Sequence, residues 1–412
     1  MLSFGAKKME RKCVMAMLLV VAVSCGLKEI DSQPVIGDGI WLGPGNTIVG
    51  NGSGSGGGHK EIWYAVGVDY PRSYDWKADV EKGSVKCSLV VYADGVAMMK
   101  VPVGDEYEVS SDPDMHRIVD GDLYTDYSTF EETVIKRNGE EIIRYAGKEM
   151  IVDMAVESGF VYTLGQSRAG EGFSFRINGE VLLERSIGRV FPRIQRVEDG
   201  FSLAFFESDG SEMPVCGKCY HYLAGEVCEV PMGKDVLEVW DVVFHEEKVC
   251  YIASMLWSSA PVLVLGNERF NLETTDNLDV KSCRFVDGGR DLYIEGVVSQ
   301  GKGLSSALWK GAKLQTTFQS GYVVSSLCMS DGVLSCVLNG PSAFSPGLIY
   351  RDGESFDMPA GYMSMGGRSM AMADGKLYVG LISAADGMVA VWADKEMKPL
   401  KINGFISHMS VY

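Results

Sequence analysis

The sequence predicts an all-β fold, a β-propeller of eight four-stranded blades. Hairpin turns, nearly all with a glycine, recur at steps of 40 to 46 residues, and a repeat of this length is typical of propeller blades. The composition agrees, with 49 Gly, 18 Tyr and 16 Phe but only 13 Pro in 412 residues. Beyond residue 30 the apolar residues show no helical spacing. Seven blades are the alternative.

One series of turns precedes an apolar strand in six of the units. Each turn pairs an aspartate or serine with a glycine, the residue that most easily adopts a positive φ. The members are Asp120-Gly121, Ser158-Gly159, Asp199-Gly200, Asp287-Gly288, Asp331-Gly332 and Asp374-Gly375.

A second series marks a later hairpin in every unit, where Asn-Gly or Asp-Gly favours a two-residue turn. Its eight members are Asp94-Gly95, Asn138-Gly139, Asn178-Gly179, Ala224-Gly225, Gly266-Asn267, Lys310-Gly311, Asp352-Gly353 and Asp394-Lys395. Glutamate follows several of these turns directly, which suits an outer strand that faces solvent.

The two ends of the chain predict how the ring closes. The last unit contains four strands, at residues 369–373, 376–382, 388–392 and 397–402. The first unit begins with its second strand, residues 62–68, because only a glycine-rich linker precedes it. We therefore expect residues 405–412 to supply the missing strand and complete the first blade.

The N-terminal segment has the features of an export signal. Four basic residues precede an apolar stretch, residues 14–23, that is too short to span a bilayer. The stretch ends in Ala22-Val23-Ser24-Cys25-Gly26, which resembles the lipobox of bacterial lipoproteins and implies that Cys25 is lipidated. The predicted organisation is a signal peptide at 1–24, a flexible Gly/Ser-rich linker at 25–59 and a propeller at 60–412. An ordinary cleaved signal with a chance cysteine is the alternative.

The lipobox followed by propeller repeats resembles the β-propeller lipoproteins of the Bacteroidota. A WD dipeptide occurs once, at Trp240-Asp241, and does not recur in the other units; the kelch Gly-Gly series and the sialidase box are missing, so no narrower family is assigned. The resemblance implies an outer-membrane lipoprotein of the cell envelope, either periplasmic or surface-exposed. Acyl chains on Cys25 would hold it to the membrane, and we expect the propeller to be a monomer.

The charge excludes one class of partner. The formal net charge is −17, and removal of the basic leader makes it more negative still. Nucleic-acid binding requires basic patches that replace the counterions of phosphates, so we expect no nucleic acid as partner.

One cluster contains residues that bind metals in other proteins. Cys216 and Cys219 are spaced like half of a zinc site, and His221 lies close by. A second pair of ligands is missing, so we predict neither a metal nor a cofactor. A Cys216–Cys219 disulfide is one alternative, and ordinary buried cysteines are the favoured one. In a hairpin at Ala224-Gly225, His221 and Cys228 are expected to lie opposite each other.

Two further segments allow two interpretations each. An acidic group suggests a calcium loop, although turn chemistry explains it better; its members are Asp112, Asp114, Asp120, Asp122 and Asp126. The aromatic segment at 69–77 either offers rings to a ligand or packs on its own blade.

The repeat itself nominates a ring of residues at the mouth of the central channel. Counting six positions back from the first turn of each unit gives Asp114, Val152, Arg193, Trp240, Lys281, Ser325 and Arg368. We take Asp114, Arg193, Trp240 and Arg368 as the candidate ligand surface. Their variety fits a ring that recognises a ligand, and simple exposure to solvent would equally allow it.

The expected function is non-enzymatic binding of a glycan or a protein partner. The alternatives are a carbohydrate-active propeller enzyme, with acids and arginines at the channel mouth, or a scaffold subunit of an outer-membrane assembly. The sequence has no Gly-x-Ser-x-Gly elbow, and His245-Glu246-Glu247 lacks the second histidine of a zinc-protease helix. No catalytic residue is predicted.

Overall fold

The structure, a computed structural model, is an eight-bladed β-propeller in which every sheet is antiparallel, as the sequence predicts. It describes residues 62–411 except 72–86, 104–115, 120, 129–130, 148, 168–171, 187–188, 192, 198–199, 209–216, 224, 257, 276–277, 287–290, 301–302, 331, 343–344, 367, 374 and 395. The predicted leader and linker, with Cys25, lie outside the described residues, as do Asp114 and Cys216.

The first four blades contain the following strands, given in chain order. Blade 1 has β1 (Trp63–Asp69), β2 (Cys87–Ala93) and β3 (Val96–Val103). Blade 2 has β4 (His116–Val119), β5 (Asp122–Ser128), β6 (Glu132–Arg137) and β7 (Glu140–Ala146). Blade 3 has β8 (Glu149–Glu157), β9 (Phe160–Ser167), β10 (Phe173–Ile177) and β11 (Glu180–Arg185). Blade 4 has a split inner strand, β12 (Arg189–Val190) and β13 (Gln195–Val197), then β14 (Gly200–Ser208), β15 (Gly217–Leu223) and β16 (Glu226–Glu229).

The other four blades complete the ring. Blade 5 has β17 (Val236–His245), β18 (Lys248–Met255), β19 (Ser258–Leu265) and β20 (Glu268–Asn271). Blade 6 has β21 (Leu278–Val286), β22 (Tyr293–Gln300), β23 (Gly303–Lys310) and β24 (Lys313–Thr317). Blade 7 has β25 (Val323–Ser330), β26 (Val333–Asn339), β27 (Leu348–Arg351) and β28 (Glu354–Asp357). Blade 8 has a split inner strand, β29 (Tyr362–Met363) and β30 (Met370–Ala373), then β31 (Lys376–Ser383), β32 (Val389–Ala393) and β33 (Glu396–Leu400); the final strand, β34 (Gly404–Val411), belongs to blade 1.

The hydrophobic core is distributed over the interfaces between blades. The described residues form eight buried clusters, and each cluster joins two neighbouring blades. Trp309 and Leu263, for example, pack between blades 5 and 6. Burial falls toward the rim, since all four residues of β20 and of β28 are exposed. The exposed outer strands agree with the glutamates that follow the second series of turns.

The turn residues explain why the repeat is visible in the sequence. Asn138 and Asn178 both have positive φ, 54° and 48°, and each precedes a glycine that also has positive φ. The Asn138 side-chain oxygen accepts a hydrogen bond from the Leu123 amide at 2.8 Å, and Asn178 does the same for Val161 at 2.9 Å. Asparagine thus tolerates the left-handed backbone and also ties the turn to the second strand.

Two turns depart from the expected pattern. The turn of blade 6 is centred one residue later than predicted, on Gly311, because Lys310 already pairs with Lys313. In blade 5 the first turn uses Glu246 and Glu247, both with positive φ, 46° and 61°. Such a backbone is strained for residues with long side chains, and the absence of glycine there explains why this turn is missing from the first series of turns.

The C-terminal strand closes the ring as predicted. β34 pairs antiparallel with β1 from Trp63↔Val411 to Asp69↔Gly404. Below the last pair, the Asn403 amide donates to the Asp69 carboxylate at 2.9 Å. Ile406 is buried between blades 1 and 8. The first blade therefore combines the first and the last described strands and closes the ring between blades 8 and 1.

Candidate functional site

The predicted channel ring coincides with a repeated backbone irregularity of the innermost strands. Val152, Trp240, Lys281 and Ser325 are each the extra residue at a register shift, in β8, β17, β21 and β25 respectively. A bulge bends the strand and changes the direction of its side chains. The count from the turns therefore identifies one structurally equivalent position in four blades.

The two arginines of the ring lie where an innermost strand is interrupted. Arg193 lies between β12 and β13 of blade 4, and Arg368 lies between β29 and β30 of blade 8. In a ring of eight, these two blades are opposite each other. The side chain of Arg368 is 43% exposed and that of Arg193 is 15% exposed, so Arg368 is the more accessible of the two.

Some ring residues serve packing instead. Val152 packs against the cluster between blades 3 and 4, and Trp240 against the cluster between blades 5 and 6. Ser407 is the extra residue of β34 and the counterpart in blade 1. Counting back from the turns does not identify Ser407, because no turn of the series follows it. The Ser407 hydroxyl donates to the Val66 carbonyl at 3.2 Å.

Two buried carboxylates, which the count also missed, follow the bulges of blades 3 and 5. Asp153 accepts hydrogen bonds from the Met154 amide at 2.9 Å and from the Ile194 amide of blade 4 at 2.6 Å. Asp241 has the same arrangement, with the Val242 amide at 2.9 Å and the Phe285 amide of blade 6 at 2.7 Å. Each carboxylate thus satisfies backbone donors of two blades.

An arginine of the preceding blade completes each arrangement. Arg117 of blade 2 pairs with Asp153, and its Nε donates to the Met154 carbonyl at 2.8 Å. Arg193 of blade 4 lies 3.1 Å from the Asp241 carboxylate and donates to the Phe285 carbonyl at 2.9 Å. Breaking a buried pair by removing one partner costs about 3–5 kcal/mol. The contacts around Asp153 thus link blades 2, 3 and 4, and the contacts around Asp241 link blades 4, 5 and 6.

A further arginine and two histidines join Asp153 and Arg117 to form what we call the channel cluster: His116, Arg117, Asp153, Arg368 and His408. An Arg368 nitrogen lies 3.8 Å from the Asp153 carboxylate, although the two residues belong to blades 8 and 3. The backbone of Arg368 bridges to His408, and its carbonyl accepts the Met409 amide at 2.7 Å. The cluster therefore joins blades 8, 1, 2 and 3.

His408 is held as a neutral imidazole within this cluster. It is only 5% exposed. Burial, followed by the nearby charges of Arg117, Arg368 and His116, lowers the pKa of His408 well below its ordinary value. A neutral ring presents one N–H donor and one acceptor, so His408 offers a hydrogen bond without adding charge.

Cys219 and His221 of blade 4 are part of the packing between strands and blades. His221 lies opposite Cys228, as predicted. The His221 ring stacks on Phe244 at 5.0 Å between ring centroids, and burial lowers its pKa to about 4. Burial likewise raises the pKa of the Cys219 thiol to about 12. Within the described part of the chain, no group of three His, Cys, Asp or Glu side chains is arranged to hold a metal.

Comparison with solved structures finds other propellers. The chain is similar to the dihydro-heme d1 dehydrogenase NirN, with 10% identity and a TM-score of 0.50 over 85% of this chain and 74% of NirN. It is also similar to the propeller domain of the Trilobed protease from Pyrococcus furiosus, with 10% identity and a TM-score of 0.44 over 72% of this chain and 91% of that one. A putative exported protein of Bacteroides fragilis matches with 11% identity and a TM-score of 0.34, over 58% of this chain and 82% of its own.

At 10% identity the likeness to NirN shows the fold alone. Some propeller neighbours are bacterial exported proteins and others are peptidases. No protein-family model matches the chain. No curated protein matches it either. The described residues form no helix that is long and apolar enough to cross a bilayer.

The buried imidazole of His221 predicts a pH dependence of folding. Its pKa is about 4 in the folded protein and about 6.5 in an unfolded chain. Between these values the unfolded state binds a proton that the folded state does not, so stability falls as the pH drops from 6.5 to 4. The loss due to His221 is on the order of 3 kcal/mol.

The measurement is urea unfolding of wild type and His221→Phe at pH 7 and pH 4.5. Phenylalanine keeps the stacking on Phe244 and does not titrate, so the variant should lose less stability on acidification. His245→Gln, near the end of β17, is the control and should follow the wild type. An unchanged pH dependence in His221→Phe would contradict the assignment.

Proposed function

We propose that this protein is a lipid-anchored propeller of the bacterial cell envelope that binds a glycan at the mouth of its central channel without transforming it. The observation that carries the proposal is the channel cluster, in which a half-exposed arginine of blade 8 stands beside buried polar groups of three other blades. Ligands of propellers meet such groups where the innermost strands surround the channel.

The depth of the cluster favours a glycan over a protein as the ligand of the channel. Arg117, Asp153 and His408 are all less than a tenth exposed. A broad protein surface meets exposed residues, whereas a sugar unit is small enough to enter a recess and form hydrogen bonds there. Arg368 is the most exposed member of the cluster, with 43% of its side chain accessible, and is the natural first contact.

A protein partner, or a larger outer-membrane assembly, is the second candidate. Outer strands of several blades expose large apolar side chains, among them Ile142, Leu182, Phe270 and Phe356. Exposed aromatic and aliphatic groups of this kind are able to anchor a partner at the rim.

The anchoring part of the proposal predicts a specific effect of Cys25. Replacing Cys25 by serine removes the thiol that receives the lipid, so the protein should no longer incorporate a fatty-acid analogue and should leave the membrane fraction. Expression in a Gram-negative host, followed by membrane fractionation, measures both effects. Cys13→Ser is the matched control and should stay lipidated. Membrane retention of Cys25→Ser would contradict the anchor.

The binding part predicts that the full-length protein retains a glycan from a panel of neutral and acidic oligosaccharides and releases it unchanged. The control is the double variant Phe270→Ser/Phe356→Ser, which alters only the rim and should bind the same glycan equally well. Absence of any bound glycan, or loss of binding in the rim variant, would contradict a channel site. Shorter products in the released glycan would instead indicate an enzyme.

A further inference from the structure

Two arginines from different blades approach one buried carboxylate, that of Asp153. Arg117 pairs directly with Asp153 and is itself buried. Arg368 approaches the same carboxylate to 3.8 Å, which is longer than a hydrogen bond. Arg368 is therefore an ion-pair partner of Asp153 whose side chain is also 43% exposed to solvent. A planar guanidinium in this position can use its fork of donors for a second, external carboxylate.

His408 adds a polar group beside Arg368 whose Nδ1 has no hydrogen-bond partner among the described residues. The ring is 95% buried, since only 5% of His408 is exposed. A buried polar atom without a partner is costly and is a common feature of sites that await a ligand. The neutral ring carries a proton on either Nε2 or Nδ1. It therefore offers one donor and one acceptor to a sugar or its carboxylate.

The charge of the whole protein limits the kind of anion that fits. The chain carries 55 acidic and 38 basic residues, and its surface therefore repels polyanions over a distance of about one Debye length. A single anionic group on an otherwise neutral molecule is repelled least. It also meets the arginines of the channel at short range, where their attraction dominates.

We propose that the channel cluster binds the carboxylate of an acidic sugar, such as a hexuronate unit of a glycan, between Arg368 and His408. This inference rests on the proposed function and specifies its ligand class. Arg368 donates a pair of hydrogen bonds to the carboxylate, while Arg117 and Asp153 hold the wall of the site. His408 hydrogen-bonds the same sugar unit through Nδ1.

The test is isothermal titration of the full-length protein with three probes: an oligosaccharide that carries one hexuronate unit in an otherwise neutral chain, a neutral oligosaccharide of the same length, and inorganic phosphate. We expect the acidic oligosaccharide to bind more tightly than the other two, with an affinity that falls as salt is added. Equal affinity for the neutral oligosaccharide, or preference for phosphate, would overturn the inference.

Substitution of single arginines tests where on the protein the acidic oligosaccharide binds. Arg368→Gln should weaken binding of the acidic oligosaccharide about 10- to 100-fold, since it removes charge-assisted hydrogen bonds. Arg269→Gln is the matched control, because Arg269 is 41% exposed and pairs with Asp235 on an outer blade surface; it should leave the affinity unchanged. Equal affinity in Arg368→Gln and wild type would contradict the site.

A third variant separates binding from folding. His408→Phe fills the same buried space without a polar atom, so we expect the melting temperature to be kept or raised while binding weakens. Unchanged binding in this variant would contradict the proposed hydrogen bond between His408 and the sugar. Tight binding of neutral glycans alone would refute the acidic ligand and still leave the proposed glycan-binding function standing, whereas failure of all glycans would refute both.

Discussion

The pairing of β34 with β1 is the interaction on which the rest of the structure depends. It joins residues more than 330 positions apart and converts seven self-contained blades plus an incomplete one into a closed ring. Closure buries Ile406 and Met409 against blade 8. It also places His408 beside Arg368, so the channel cluster forms only when both ends of the chain are in place. Fold and candidate site thus share one constraint.

The ring is held together by two kinds of contact. Apolar clusters fill every interface between neighbouring blades, as expected when no blade can bury its two faces alone. Near the axis, polar contacts are added at particular interfaces. Asp153 and Asp241 tie blades 3 and 5 to their successors, whereas the side-chain amide of Gln195 forms two hydrogen bonds with Phe244 between blades 4 and 5. The inner strands therefore keep a common geometry with different side chains.

The sequence reveals most of the fold because glycine and asparagine mark its turns. Asn138 and Asn178 appear where two successive residues need positive φ, and their spacing yields the blade length. The turn at Glu246-Glu247 contains neither glycine nor asparagine and is therefore missing from the first series of turns, although both residues have positive φ. Counting from the turns identifies these candidate residues because a bulge occupies the same position in four of the blades, as at Val152 and Lys281.

The channel cluster could not be predicted in the same way. Its members lie between positions 116 and 408 and come from four blades, so their proximity depends on ring closure rather than on local spacing. One local signal was present, since an aspartate directly follows the ring residue in Val152-Asp153 and Trp240-Asp241. Which arginine meets which aspartate depends on how neighbouring blades stack, and that is information only the folded ring contains.

Hydrogen exchange of the full-length protein tests ring closure most directly. The amides of β34 that pair with β1 should exchange as slowly as those of β1 itself, because a closed ring opens these strands together. Fast exchange of β34, as in a frayed chain end, with β1 still protected, would show that the ring is open and that His408 is not held beside Arg368.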